Sequence, residues 1–249
     1  LISGFFTAGS YDRKGFGRFT GDRFKRLVIP TLINMVAIMP FIEIVELGNR
    51  PTGYNLIDFL SGIGVMWFTA ALFGLSLIYG LVRLMFRRPA PDSERMGLEP
   101  TFATAVMLIL IIAIFAFLIG IIQPIWEDIS DFQICYFASY IVLFAFGIIA
   151  YRNNLFAKIS YRTGKRLLIG AIALDLFVWL AVVTTATAIR SITALEGGLT
   201  WQSGAFSLWE SFVAVAMSIG LIAIFREKFN HQGKLVKTLS DNSFAVYMF

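Results

Sequence analysis

The sequence predicts an all-α fold, a polytopic transmembrane helical bundle, and three observations lead there. Apolar residues make up 57% of the 249 positions before the 21 glycines are counted, whereas a soluble domain averages roughly 45–50% with glycine included. Charged residues supply 15% against a usual share of about 25%, and a soluble fold of this length lacks the interior to hide so much apolar surface. The apolar residues also gather in runs at 28–47, 62–86, 102–125, 132–151, 167–189 and 205–225. Each run is near the ~20 residues that a helix needs to cross ~30 Å of hydrocarbon.

Taken in order, residues 1–9 read as the tail of an earlier helix, and 10–27 as a basic loop leading into the first complete span. Five further spans follow, joined by loops too short to hold an inserted soluble domain, and 243–249 read as the opening of another helix. Trp67, Trp126, Trp201 and Trp209 fall near the ends of runs, where tryptophans anchor helices at the membrane interface. Both ends of the sequence lie inside apolar runs and there is no initiator Met. The expectation is therefore a single transmembrane domain over 1–249, lacking its first helices and its C-terminal end.

Charge gives an orientation. Nineteen of the 21 Lys and Arg residues fall in alternate loops at 10–27, 83–101, 152–166 and 226–240, leaving only Arg50 and Arg190 for the others. By the positive-inside rule the basic loops are cytoplasmic, and the chain is expected to be multi-pass in a plasma membrane, the bacterial inner membrane. The net charge of +5 is thus a topology signal, and the lipid bilayer, not nucleic acid, is the expected partner.

Several chemistries are excluded at this stage. One cysteine, Cys135, cannot close an internal disulfide, and one histidine, His231, cannot build a His-rich metal site. Gly15, Gly17 and Gly21 miss the dinucleotide-binding spacing and follow no strand. Neither a metal nor a tightly bound cofactor is expected.

The polar residues in the apolar runs are the informative ones. Asp175 and Glu210 lie inside the fifth and sixth spans, where a carboxylate costs at least ~2.5–3.5 kcal/mol and normally faces the bundle interior or a wet cavity. Each reads either as a substrate- or proton-handling group or as a structural carboxylate paired with a hydroxyl, an indole N–H or an arginine. Arg23 and Arg26 are spaced i, i+3, so a helix places both guanidinium groups on one face, able to grip phosphate oxygens. The plain alternative is topology charge. Pro30 cannot donate to the Arg26 carbonyl, so a bend is expected there. His231 reads as a solvated loop residue, Cys135 as a packing residue, and the 25 phenylalanines as packing and lipid-facing groups.

These elements resemble the acyltransferase 3 family. Ile2-Ser3-Gly4-Phe5-Phe6 precedes a basic stretch and Arg23-x-x-Arg26-Leu27-x-Ile29-Pro30. Then come Met66-Trp67-Phe68, Tyr140 to Arg152, Trp209-Glu210-x-Phe212, Phe225-Arg226-Glu227 and Leu239-Ser240-x-Asn242-Ser243-Phe244. The nearest likeness is to the branch that includes glucan-modifying succinyltransferases. The resemblance implies an integral membrane enzyme of about ten helices that uses cytoplasmic acyl-CoA as co-substrate to esterify a hydroxyl, commonly of an exported or surface carbohydrate. It implies donor-phosphate binding by Arg23 and Arg26 and adds weight to Trp67 and Glu210; Trp67 and, from its place in the fifth span, Asp175 are the candidate substrate-pocket residues. The family's catalytic histidine falls outside this sequence, which leaves Glu210 as the candidate catalytic residue and suggests that this stretch alone is inactive. A secondary transporter using Asp175 and Glu210 is the alternative, and a non-catalytic scaffold a third reading.

Overall fold

A computed structural model of the chain describes residues 1–38, 40–41, 66–86, 100–124, 133–189, 195, 197–229, 233 and 237–238. Among them the backbone is helical nearly throughout, with no strand. Helix α1 (Ile2–Arg23) is followed by a wide turn, Phe24–Val28, then α2 (Ile29–Ile33) and a second wide turn, Asn34–Ile38. Helix α3 spans Trp67–Met85 and α4 Phe102–Ile122; α5 (Phe137–Asn153) follows a tight turn at Ile134–Tyr136. Short α6 (Leu155–Lys158) leads to the long helices α7 (Tyr161–Ile189) and α8 (Trp201–Lys228). Five helices among the described residues are long and apolar enough to cross a membrane: α3, α4, α5 with its preceding turn, α7 and α8. The chain is a polytopic helical membrane protein. Of the run 28–47, the part through Ile38 and Pro40–Phe41 is helical, and the rest lies outside the described residues.

Two boundaries differ from those the sequence predicts. The basic stretch 10–27 is helical, interrupted only at Gly15 (φ 70°, ψ 171°), a conformation open to glycine but strained for other residues. Helix α7 begins at Tyr161 and α8 at Trp201, earlier than their apolar runs, because polar residues at an interface continue a helix without entering hydrocarbon. Threonine caps fix two of the starts. Thr101 Oγ1 accepts from the Thr104 N–H at 3.3 Å ahead of α4, and Thr200 Oγ1 from the Ser203 N–H at 3.1 Å ahead of α8.

The chain divides into two compact units, Leu1–Ala8 with Ser93–Glu127 and Gln133–Gln232, and Gly9–Asp92 with Asp128–Phe132 and Gly233–Phe249. In the first, buried Leu108 and Ile112 of α4 meet Val215 of α8, with Val142, Leu143 and Phe146 of α5 around them. Helices α7 and α8 cross closely at small residues: a Cβ on Gly220 would lie 2.7 Å from Leu168 Cβ and 2.9 Å from the Gly164 carbonyl oxygen. Without a hydrophobic drive between helices in lipid, such close backbone packing supplies the attraction. The start of α1 is held against α5 in the same way, through Gly4 and Gly147, while Phe5 stacks on Phe156 at 4.5 Å.

In the second unit the helical stretch from Gly9 packs on α3. Gly80 admits the Phe16 ring, and Tyr11 meets Phe19 and Tyr79 edge-to-face at 5.5 and 5.6 Å. Arg83 reaches Asp12 at 3.5 Å. The buried hydroxyls of Thr31 and Thr69 meet at 2.7 Å, joining α2 to α3 through a polar contact in an otherwise apolar seam.

Candidate functional site

Arg23 and Arg26 stand where α1 passes into its wide turn. The Ile29 N–H bonds the Phe24 carbonyl, five residues back, and Pro30, lacking an N–H, cannot sustain the regular ladder through this turn. Such single wide turns recur at functional positions in helices. Arg23 is half-buried, with its guanidinium 5.6 Å from the Phe19 ring centroid, and Arg26 is exposed. Burial, and then the charge of Arg26, lowers the pKa of Arg23 from its ordinary value. The two charges are therefore near enough to repel, and an anion between them would relieve that repulsion.

The neighbouring charges reinforce the field. Lys14 pairs with Asp22; the Lys14 hydrogen bond holds the Asp22 carboxyl below its usual range, and Arg26 and Lys25 lower it further. Asp22 is thus engaged by Lys14, in a neighbourhood where cations outnumber it. Trp67, in the same unit, is the first residue of α3 and is half-buried against Phe68 at 6.0 Å.

Glu210 occupies the other unit. It lies nine residues into α8, about 13 Å along the helix, which starts at Trp201, four residues ahead of the apolar run. Trp209, expected near the end of that run, lies eight residues into the helix. Glu210 lines a small cavity of about 10 Å³ with Cys135, Tyr136, Ser139 and Ser211, enough for roughly one water. The Ser139 hydroxyl donates to the Tyr136 carbonyl at 2.8 Å and the Ser211 hydroxyl to the Ser207 carbonyl at 2.6 Å. Their hydrogens are committed to backbone, leaving oxygen lone pairs to accept from a hydroxyl or a water beside the carboxyl of Glu210.

These hydroxyls were not singled out by sequence reasoning. Ser203, Ser207 and Ser211 are all buried on α8 and recur every four residues, so the i, i+4 spacing of serines in an apolar run was the available signal. Tyr136 and Ser139 gave no comparable signal, since only packing brings α5 to α8.

A second, larger cavity of about 710 Å³ lies within the same unit, between α4, α5–α6, α7 and α8. Leu174 and Val178 of α7 line it, while Asp175 lines neither cavity and sits half-buried on α7. Cys135 is buried, as a packing residue would be. His231 and Trp126 lie outside the described residues.

Comparison with known proteins adds one finding. A family model described as an acyltransferase domain matches residues 1–249, the whole chain. No curated protein and no solved structure matches. The resemblance carried by the arginine pair, the tryptophan start of α3 and the Trp209-Glu210 step is thus a family relationship, and the chain belongs to the acyltransferase 3 family.

Proposed function

We propose that the chain is the membrane part of an O-acyltransferase that takes an acyl group from cytoplasmic acyl-CoA and transfers it to a hydroxyl of an exported or surface carbohydrate, as glucan-modifying succinyltransferases do. The observation that carries the reading is the Arg23–Arg26 pair, two guanidinium groups in electrostatic contact at a wide helical turn. Such a pair suits the phosphates of a CoA donor. The positive-inside rule favours a cytoplasmic position for the pair, the side on which that donor resides.

In the reaction the acceptor hydroxyl oxygen attacks the thioester carbonyl; the new C–O bond forms, the C–S bond breaks, and CoA leaves as the thiol after taking up the hydroxyl proton. The cavity of Glu210, with Ser139 and Ser211 oxygens turned to it, suits a polar hydroxyl group. Glu210 orients that hydroxyl, and the general base is not assigned to a described residue. Trp67 is a pocket wall in this reading.

The test is acyl transfer from labelled acetyl- and succinyl-CoA in membrane vesicles holding the full protein. The Arg23→Ala, Arg26→Ala double variant is compared with wild type at matched membrane levels. Loss of one charge-assisted contact costs about 1.5–3 kcal/mol, so the double variant should raise the apparent KM for donor by 100-fold or more. An unchanged KM for donor overturns the reading.

A further inference from the structure

None of the residues given a role in that reaction lines the larger cavity. We propose that it binds an anionic phospholipid of the surrounding membrane, with an acyl chain lying along α8 and the phosphate at Lys158. The proposal rests on this cavity alone and not on the acyl-transfer reading.

Shape comes first. On α8 the lining runs from Ala205 to Ile222, about 25 Å of helix, close to the ~30 Å thickness of a hydrocarbon core. The volume of about 710 Å³ falls within the roughly 300–1,000 Å³ of small-molecule sites. The walls are carbon along this length, with Phe146, Val178, Leu208 and Phe212 among them. Such a slot suits an alkyl chain.

Polarity decides the class of occupant, because apart from the Trp209 indole it lies at one end. The other polar lining residues are Thr101, Thr104, Lys158, Ser160 and Thr163, at the first turn of α4, the turn joining α6 to α7 and the first turn of α7. This rim is built and held in place. The Arg226 guanidinium donates to the carbonyl of Phe156 and, at 2.6 Å, to that of Ile159, fastening the turn that carries Lys158 and Ser160. Arg162, Lys165 and Arg166 follow, all exposed, so the rim is strongly cationic. An apolar slot between membrane helices that opens on a basic rim matches a lipid with an acidic head group. A zwitterionic lipid would fill the slot equally well, but its ammonium group offsets what its phosphate gains at a cationic rim.

Trp209 lines the cavity and supplies a reporter. In a variant whose other tryptophans (Trp67, Trp126, Trp179 and Trp201) are Phe, its fluorescence is measured in phosphatidylcholine vesicles. Chain-brominated phosphatidylglycerol or chain-brominated phosphatidylcholine is added at equal mole fractions. Phosphatidylglycerol should bind about fivefold more tightly, the ratio one basic residue near a lipid phosphate contributes, and Lys158→Gln should bring the ratio close to one. Equal quenching by the two lipids overturns the proposal and leaves a nonspecific lipid seam. Displacement of brominated phosphatidylglycerol by palmitoyl-CoA but not by unlabelled phosphatidylglycerol also overturns it, assigning the cavity to an acyl donor.

Native mass spectrometry of the wild-type protein, extracted from a mixture of the two lipids, needs no tryptophan change. Retained phosphatidylglycerol that is lost in both Lys158→Gln and Ala216→Phe supports the site. Lipid retained in the proportions of the mixture overturns it.

Discussion

Glu210 carries the most chemistry for a single residue. It is a carboxyl placed deep in a membrane-spanning helix, among hydroxyl oxygens whose own hydrogens are already used. If it orients an acceptor hydroxyl, Glu210→Gln keeps the volume and one acceptor oxygen but replaces the other oxygen with an NH2 donor. Transfer should then fall about 100-fold in kcat, the cost of a misplaced reactant, with the KM for acyl-CoA unchanged, measured in vesicles at matched protein levels. A purely structural carboxyl would instead show its loss in thermal stability with kcat intact. Glu210 was legible in the sequence because a carboxyl in an apolar run is costly wherever it points. Tyr136 and Ser139 were not: they lie some seventy residues away in sequence and become neighbours only once α5 packs beside α8.

The helices were legible as elements and less so at their ends. Apolar runs report where hydrocarbon lies, and α7 and α8 continue past it into polar turns, so hydropathy alone sets their starts too late. Gly15 and the wide turn at Phe24–Val28 show the converse limit. The stretch is rich in Lys, Arg and Gly and reads as a loop, yet it folds as helix. The small-residue crossing of α7 and α8 was not read from the sequence and belongs to packing. Gly164, Gly220 and Ala223 let the two backbones approach until a Cβ on Gly220 would stand 2.7 Å from Leu168 Cβ. Gly220→Leu must push the helices apart, and overpacking of this kind costs about 1–3 kcal/mol. The detergent-solubilised variant should melt several degrees below wild type, whereas Gly170→Leu, on α7 at a position where a Cβ meets nothing within 4 Å, should melt with it.

At the scale of the whole molecule, charge counting makes a claim about sidedness that labelling can test on one unit. The basic stretches 152–166 and 226–228 meet physically: Arg226 bonds the Phe156 and Ile159 carbonyls, and Lys228 lies 5.8 Å from the Tyr161 ring centroid. At the opposite end of α4 and α8, the Gly198 N–H bonds the Gly120 carbonyl at 3.1 Å, in turns that contain no Lys or Arg among the described residues. Among the described residues one end of this unit is thus cationic and the other is not, the kind of asymmetry that sets orientation during insertion. Cys135 is the sole cysteine and is buried, so Cys135→Ser gives a clean background for single-cysteine labelling. Lys165→Cys and Leu199→Cys place thiols at exposed positions on the two ends. In intact cells a membrane-impermeant maleimide should label Leu199→Cys and spare Lys165→Cys until the membrane is opened. The reverse pattern would put the basic end outside and remove the cytoplasmic donor from reach of Arg23 and Arg26.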